Sequence, residues 1–302
     1  MNTTRFTILS LATTLICSLA ASCSSSDEPA PKRQKYALEI GNVSFENYTE
    51  TAWNGRPASR VKENDDLTAS ELEWNGTEYF HIRELSDDGQ SIVLINPNDI
   101  GYFALTKDEH GQKTIDIIND IYVYRDIPVN KLVAWTYPNE IDISDQSEGL
   151  KYLLISDTAY VAKGQTRVNL NFKNGLGVLR VFFTGPYADE VQSVEFDSKT
   201  TAGIRVTARG FEVRPFGSWG YIKTQKHVTS NGTFWQAAVI PDEISSVSGS
   251  DKYVHLSSVE YIRINGDKVY SLVEALRSGA NPDYIIAPGK ITTITITCNN
   301  HP

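Results

Sequence analysis

The residue types that could carry acid–base or metal chemistry are dispersed along the chain. His81, His110, His227, His255 and His301 share no metal-ligand spacing, and no HExxH pair occurs. Asp116, Asp120, Asp126 and Asp142 qualify for a hydrolytic carboxylate pair by type alone, because such partners meet only in space; a solvated sheet face is the plainer reading. Asp65-Asp66 and Asp87-Asp88 lack the spaced ligand loop that holds calcium and read as turns. Neither a GxSxG elbow nor a glycine-rich phosphate loop is present. Cys17 and Cys23 lie in or beside an N-terminal apolar segment, which leaves Cys298 alone in the folded part, without a disulfide or a CxxC metal knuckle. Cys298 reads as a small core hydrophobe. These observations predict no enzyme, no metal and no cofactor. Trp53, Trp74, Trp135, Trp219 and Trp235 could form a sugar-stacking platform, yet most read as core, Trp53 and Trp219 least so because their surroundings are polar or glycine-rich.

The chain of 302 residues suggests about two domains, and its formal charge of −9, with no Lys/Arg stripe, excludes nucleic acid as a natural partner. Residues 1–22 carry Arg5, an apolar run and then small residues, the pattern of a secretory signal peptide that is too short and polar to span a membrane. Leu19-Ala20-Ala21-Ser22-Cys23 resembles a bacterial lipobox, with Ala20 where Leu is usual, so Cys23 is the expected lipidated N-terminus; ordinary cleavage with a free Cys23 is the alternative. Residues 23–35 are polar and proline-bearing and read as a flexible tether.

From Tyr36 the pattern is that of strands. Tyr36 to Phe45 alternates and changes phase at Gly41-Asn42, which predicts a bulge. Asn47 to Ala69 is a long polar stretch holding Arg56 and Arg60, and loops of that length are uncommon in compact domains unless functional or disordered. Short β patterns then recur between turn signals such as Asn75-Gly76, Asn96-Pro97, Asn174-Gly175 and Asn265-Gly266, the spacing of an all-β sandwich. One short helix is predicted from the capping box at Ser271 to Gly279. The last strand follows Pro288-Gly289. There Ile294, Ile296 and Cys298 fall on one side and Thr293, Thr295 and Thr297 on the other. Such a strand fills a place in its own sheet or offers an edge to another chain.

The lipobox, Ala238-Val239-Ile240-Pro241, the Ile286-Ala287-Pro288-Gly289-Lys290 lead into a Thr-Ile strand, and the Val168–Phe183 segment together resemble the fimbrillin-like proteins, subunits of type V pili. Asn174 stands where that family often has His. The resemblance implies two tandem transthyretin-like β-sandwich domains, at 36–162 and 163–302, and a lipoprotein of the outer membrane and cell surface. It further implies cleavage by an arginine-specific protease after the first strand, and joining to other fimbrial subunits by strand exchange. Arg60, before Val61, is the candidate cleavage site and Arg56 a poorer one because Pro57 follows it. Ile291, Ile294, Ile296 and Cys298 are the candidate connector strand. The expected function is a structural subunit or tip adhesin of a surface fimbria. The alternative is a monomeric outer-membrane surface lipoprotein that binds glycans through Trp and Tyr.

Overall fold

The computed structural model describes residues 35–46, 49–50, 76–85, 101–110, 112–119, 122–124, 128–136, 138–207, 210–229, 232–246, 253–256, 258–272 and 285–302. The described residues form twenty-two strands, in chain order. The first half holds β1 (Lys35–Ala37), β2 (Glu39–Phe45), β3 (Thr49–Glu50), β4 (Gly76–Leu85), β5 (Gly101–Lys107), β6 (Lys113–Asn119), β7 (Tyr122–Tyr124), β8 (Val129–Thr136), β9 (Glu140–Asp142), β10 (Leu154–Ser156) and β11 (Ala159–Ala162). The second holds β12 (Arg167–Asn174), β13 (Gly177–Thr184), β14 (Val194–Thr207), β15 (Gly210–Lys223), β16 (Gln225–Thr229), β17 (Gly232–Val239), β18 (Glu243–Ser246), β19 (Tyr253–Leu256), β20 (Val259–Ile264), β21 (Lys268–Ser271) and β22 (Lys290–Thr297). The all-β reading of the sequence holds. The helix predicted at Ser271–Gly279 and the strand predicted at Ser91–Ile95 lie, beyond Leu272, outside the described residues.

A first sheet runs β2-β12-β10-β8-β4-β5-β6, with β11 also on β8. Flat strands three steps apart would stand about 14 Å from one another. The rings of Phe80 on β4 and Phe172 on β12 are nevertheless 4.7 Å apart, so the sheet curls around its own core of Phe80, Phe103, Phe172 and their aliphatic neighbours. The continuous apolar run of β8 has a physical reason. Leu132 and Ala134 face this core, while Val133 and Trp135 face a second one shared with the C-terminal strands. A strand buried on both faces needs no polar alternation.

The second core lies between a sheet of order β16-β17-β13-β22-β3 and one of order β15-β14-β20-β21, with β9 on β14. Phe196, Ile222 and Ile262 meet Val181, Trp235 and Ile294 there. The change from first to second sheet comes between β12 and β13, so β12 hydrogen-bonds to β10 and β2 although its sequence falls after residue 163. Asn174 pins that crossing, its buried Oδ1 accepting from the amides of Leu153 and Leu176 at 3.1 Å each. Asn265-Gly266 makes the predicted hairpin turn between β20 and β21 with both residues at positive φ (52° and 84°), the geometry that favours Asn-Gly.

His81 on β4 is buried between the rings of Tyr102 and Trp135, 4.5 and 5.1 Å away, and burial holds its pKa below the ordinary value. Its folded pKa is the lower one, so the unfolded chain binds more protons near pH 6. Its contribution is present in full above the unfolded value of about 6.5 and is lost as pH falls below it. Melting temperature is expected to fall between pH 7.5 and 5 more steeply in the wild type than in His81→Phe.

Candidate functional site

The described strands whose pairing differs from that of the others are β2, β3 and β22. In the described ladders every pairing is antiparallel except three: β2 on β12, β22 on β13 and β3 on β22. Parallel ladders are slightly weaker per residue. β2 and β22 are thus each added in parallel beside strands that otherwise pair antiparallel.

Among the described residues β2 ends the first sheet and has one strand neighbour, β12. Its register slips between Ile40 and Asn42, opposite Val168 and Asn169, leaving Gly41 as the extra residue that the phase change predicted. On the core side Leu38 and Val43 are buried and Phe45 stacks on Phe172 at 5.6 Å. The amides of Glu39 and Glu46 donate to the carbonyls of Thr166 and Phe172. Side chains tie the outer side: Ser44 Oγ donates to Asn171 Oδ1 at 2.9 Å, and Asn171 Nδ2 donates to Glu46 at 2.7 Å. Without β2, Val168, Leu170 and Phe172 would line an open groove with free backbone groups along it.

β22 starts where the two late motifs meet. The Asp242 amide donates to the Ile286 carbonyl at 2.9 Å and the Ile286 amide returns to the Asp242 carboxylate at 2.8 Å. Gly289, at a φ of +66°, donates its amide to Leu176 at 2.8 Å and turns the chain into the strand. From there Ile291, Ile294, Ile296 and Cys298 are all buried in the second core, while Thr295 and Thr297 are exposed. β13 pairs with β22 along its length, but on the other flank β3 meets only Lys290 and Ile291. No described strand covers that flank from Thr292 to Thr297.

Of the other predicted site residues, Cys23, Arg56 and Arg60 lie outside the described residues, as do Cys17, Trp53, Trp74, Asp120, Asp126 and both aspartate pairs. Asp116 is exposed on β6 and Asp142 sits on β9, which belongs to another sheet, so the two are not brought together. Hydrogen bonds from Ser144 hold the Asp142 carboxyl below its ordinary range. No group of three or more His, Cys, Asp or Glu among the described residues could hold a metal. His110 is exposed in a turn, and His301 rests on Tyr187 beside Glu190. Trp135 and Trp235 are core residues, whereas Trp219 is exposed.

No pattern in the sequence marks the polar segment 143–151, which closes the sandwich. The amides of Ile143 and Lys223 donate to Thr200 and Ser144, and that of Gln146 to Lys223. Beyond the last residue that β16 pairs on β17, the Gln146 side chain acts as a surrogate peptide. Its Nε2 donates to the carbonyls of Ala238 (2.8 Å) and Ile143 (3.0 Å), and its Oε1 accepts from the amides of Lys151 (2.9 Å) and Ala238 (3.0 Å). No spacing rule links residues 92 apart.

No family model and no curated protein matches the sequence. Among solved structures the chain is similar to a proposed cell-adhesion protein from Bacteroides uniformis, at 15% identity and a TM-score of 0.45, over 74% of this chain and 88% of that one. It is also similar to a fimbrial assembly protein from Parabacteroides distasonis (10% identity, TM-score 0.40, 88% and 93% covered). A third is the fimbrial anchor protein Mfa2 from Porphyromonas gingivalis (10% identity, TM-score 0.37, 88% and 93% covered). No helix among the described residues is long and apolar enough to cross a membrane.

Proposed function

We propose that this protein is a structural subunit of a bacterial surface fimbria, built of two transthyretin-like sandwiches, the first completed by β12, and joined to its neighbours by strand exchange. It is exported as a lipoprotein anchored through Cys23 at the outer membrane until a protease cuts after Arg60, releasing the N-terminal segment with β2. A strand from the C-terminal part of the next subunit, residues 291–298, then fills the place on β12. The observation that carries this reading is β2 itself, an end strand whose one partner among the described residues is parallel, and which together with the residue before it buries Leu38 and Val43 over a hydrophobic groove. Exchange makes the joint from many main-chain hydrogen bonds and alternating side-chain pockets at once, which gives tight, slowly dissociating contacts. The incomplete flank of β22 supports the choice of donor.

Digestion with an arginine-specific protease tests it. Unboiled gels are expected to show a ladder of SDS-resistant multimers from the wild type and a single band from Arg60→Ala. A wild type that is cut after Arg60 and stays monomeric sinks the proposal.

A further inference from the structure

The outward face of the β15-β14-β20-β21 sheet carries a row of aromatic rings that its inner packing does not require. Phe216, Trp219 and Tyr221 on β15 and Tyr261 on β20 are 37%, 46%, 40% and 39% exposed. Their alignment is constructed. Phe216 and Trp219 are three residues apart and on a regular strand would point to opposite faces. Here Trp219 pairs with Lys199 and Phe216 with Thr201, the ladder slips between those partners, and Gly217 takes a φ of +71°. That bulge adds one residue to β15 and turns Phe216 back to the side of Trp219 and Tyr221.

Between the ring-bearing strands, the central strand β14 presents Glu195, Asp197 and Lys199 outward. Asp197 lies in register with Tyr221 on one side and Tyr261 on the other. Among the described residues no hydrogen-bond donor reaches its half-buried carboxylate, and burial followed by the charge of Glu260 raises its pKa. Arg263 is fixed by Glu195 and lies over the Tyr221 ring, 3.7 Å from its centre, and Lys199 lies 5.3 Å from that of Trp219. With Glu260, whose charge reaches Asp197, the row of Glu195, Asp197, Lys199 and Arg263 carries one net negative charge.

We infer that this face binds a neutral polysaccharide, its sugar rings lying along β15 against Phe216, Trp219 and Tyr221 and its hydroxyls bonding to Asp197 and the charged row of β14. A pyranose has an apolar C–H face and a polar rim, and the surface offers rings about 7 Å apart along one strand beside a line of fixed donors and acceptors. Protein interfaces also favour Trp, Tyr and Arg, but they exclude Asp, Glu and Lys from their centre, where this surface places them. The local charge offers nothing to a polyanion, and its single net negative charge is too small to recruit a polycation. The site consists of β14, β15 and β20 side chains alone and stands whether or not strands are exchanged.

The test is affinity electrophoresis of the intact mature protein in native gels cast with a β-glucan, an α-mannan, a galactan or, as the charged comparison, a polygalacturonate. Retardation by at least one neutral polysaccharide is expected, with a tenfold or greater loss of affinity in Trp219→Ala and Tyr221→Ala at unchanged melting temperature. Tyr160→Ala, an exposed ring on β11 of the first sheet, is the control that retains binding. Retardation by none of the neutral polymers, or equal retardation of Trp219→Ala, overturns the inference. So does loss of self-association in sedimentation of Trp219→Ala, which would assign the face to a second copy.

Discussion

A protein that begins at Val61 is expected to fold, to melt well below the full chain, and to accept a strand supplied in trans. Losing Leu38 and Val43 from the first core removes two fully buried side chains, each worth about 1.5–3 kcal/mol, so the loss is about 3–6 kcal/mol. Against the 5–15 kcal/mol typical of folded proteins this is large without being fatal. The rest of the first core, from Phe80 and Phe103 to Leu154 and Phe172, is contributed by strands that remain. The vacancy on β12 has a fixed shape, with the amides and carbonyls that β2 engaged and the pockets beside Val168, Leu170 and Phe172. A synthetic peptide of residues 35–46 is expected to restore the melting temperature when added in excess, and one of residues 288–299 to do so as well. Differential scanning calorimetry with and without peptide reads both. Failure of 35–46 to bind would mean the groove collapses when emptied, and failure of 288–299 alone would point to a different donor.

Replacing Gln146 is the second change with a large expected effect. Its amide uses both donors and two acceptor positions on main-chain groups of Ile143, Lys151 and Ala238, and it is buried. Gln146→Ala leaves those groups without partners in a dry interior, each at about 1–3 kcal/mol when no water reaches it. An overall loss of about 3–5 kcal/mol is expected, measured by urea denaturation, and Gln146→Glu should also be poor because it removes the donor to two carbonyls. A loss under about 1 kcal/mol in Gln146→Ala would show that the segment 143–151 does not hold the sandwich closed.

How far the fold could be read in advance depended on whether its causes were local. The period-two pattern of Ile294, Ile296 and Cys298 reports a half-buried strand, and β22 has that burial. The phase change at Gly41 reports the bulge in β2. Other features are set by partners far along the chain. β14 and β15 are each fourteen residues long, although β15 contains Pro215, Gly217 and Gly220; among the described residues β15 ends its sheet, where a proline costs no ladder bond and a glycine can bulge. Nothing in Val168-Asn169-Leu170-Asn171-Phe172 states that it joins the first sheet, because alternation gives a strand's faces and not its neighbours. Trp219 stood out by its glycine-rich surroundings, while Tyr221, Tyr261 and Asp197 join it only through the register of three strands. For the candidate exchange site, the connector pattern was visible in composition, but the parallel pairing of β2 on β12 was not.

The central claim is that β2 must leave before subunits join, and a reversible lock measures it most directly. Ser44 and Asn171 face each other on the exposed side of the β2–β12 ladder, with their side chains in contact. The variant Ser44→Cys/Asn171→Cys, oxidised and then cut after Arg60, is predicted to remain a monomer in unboiled gels and to form the multimer ladder once a reductant opens the bridge. A ladder of equal intensity from the oxidised, cut protein would contradict the account, since assembly would then proceed with β2 still in place.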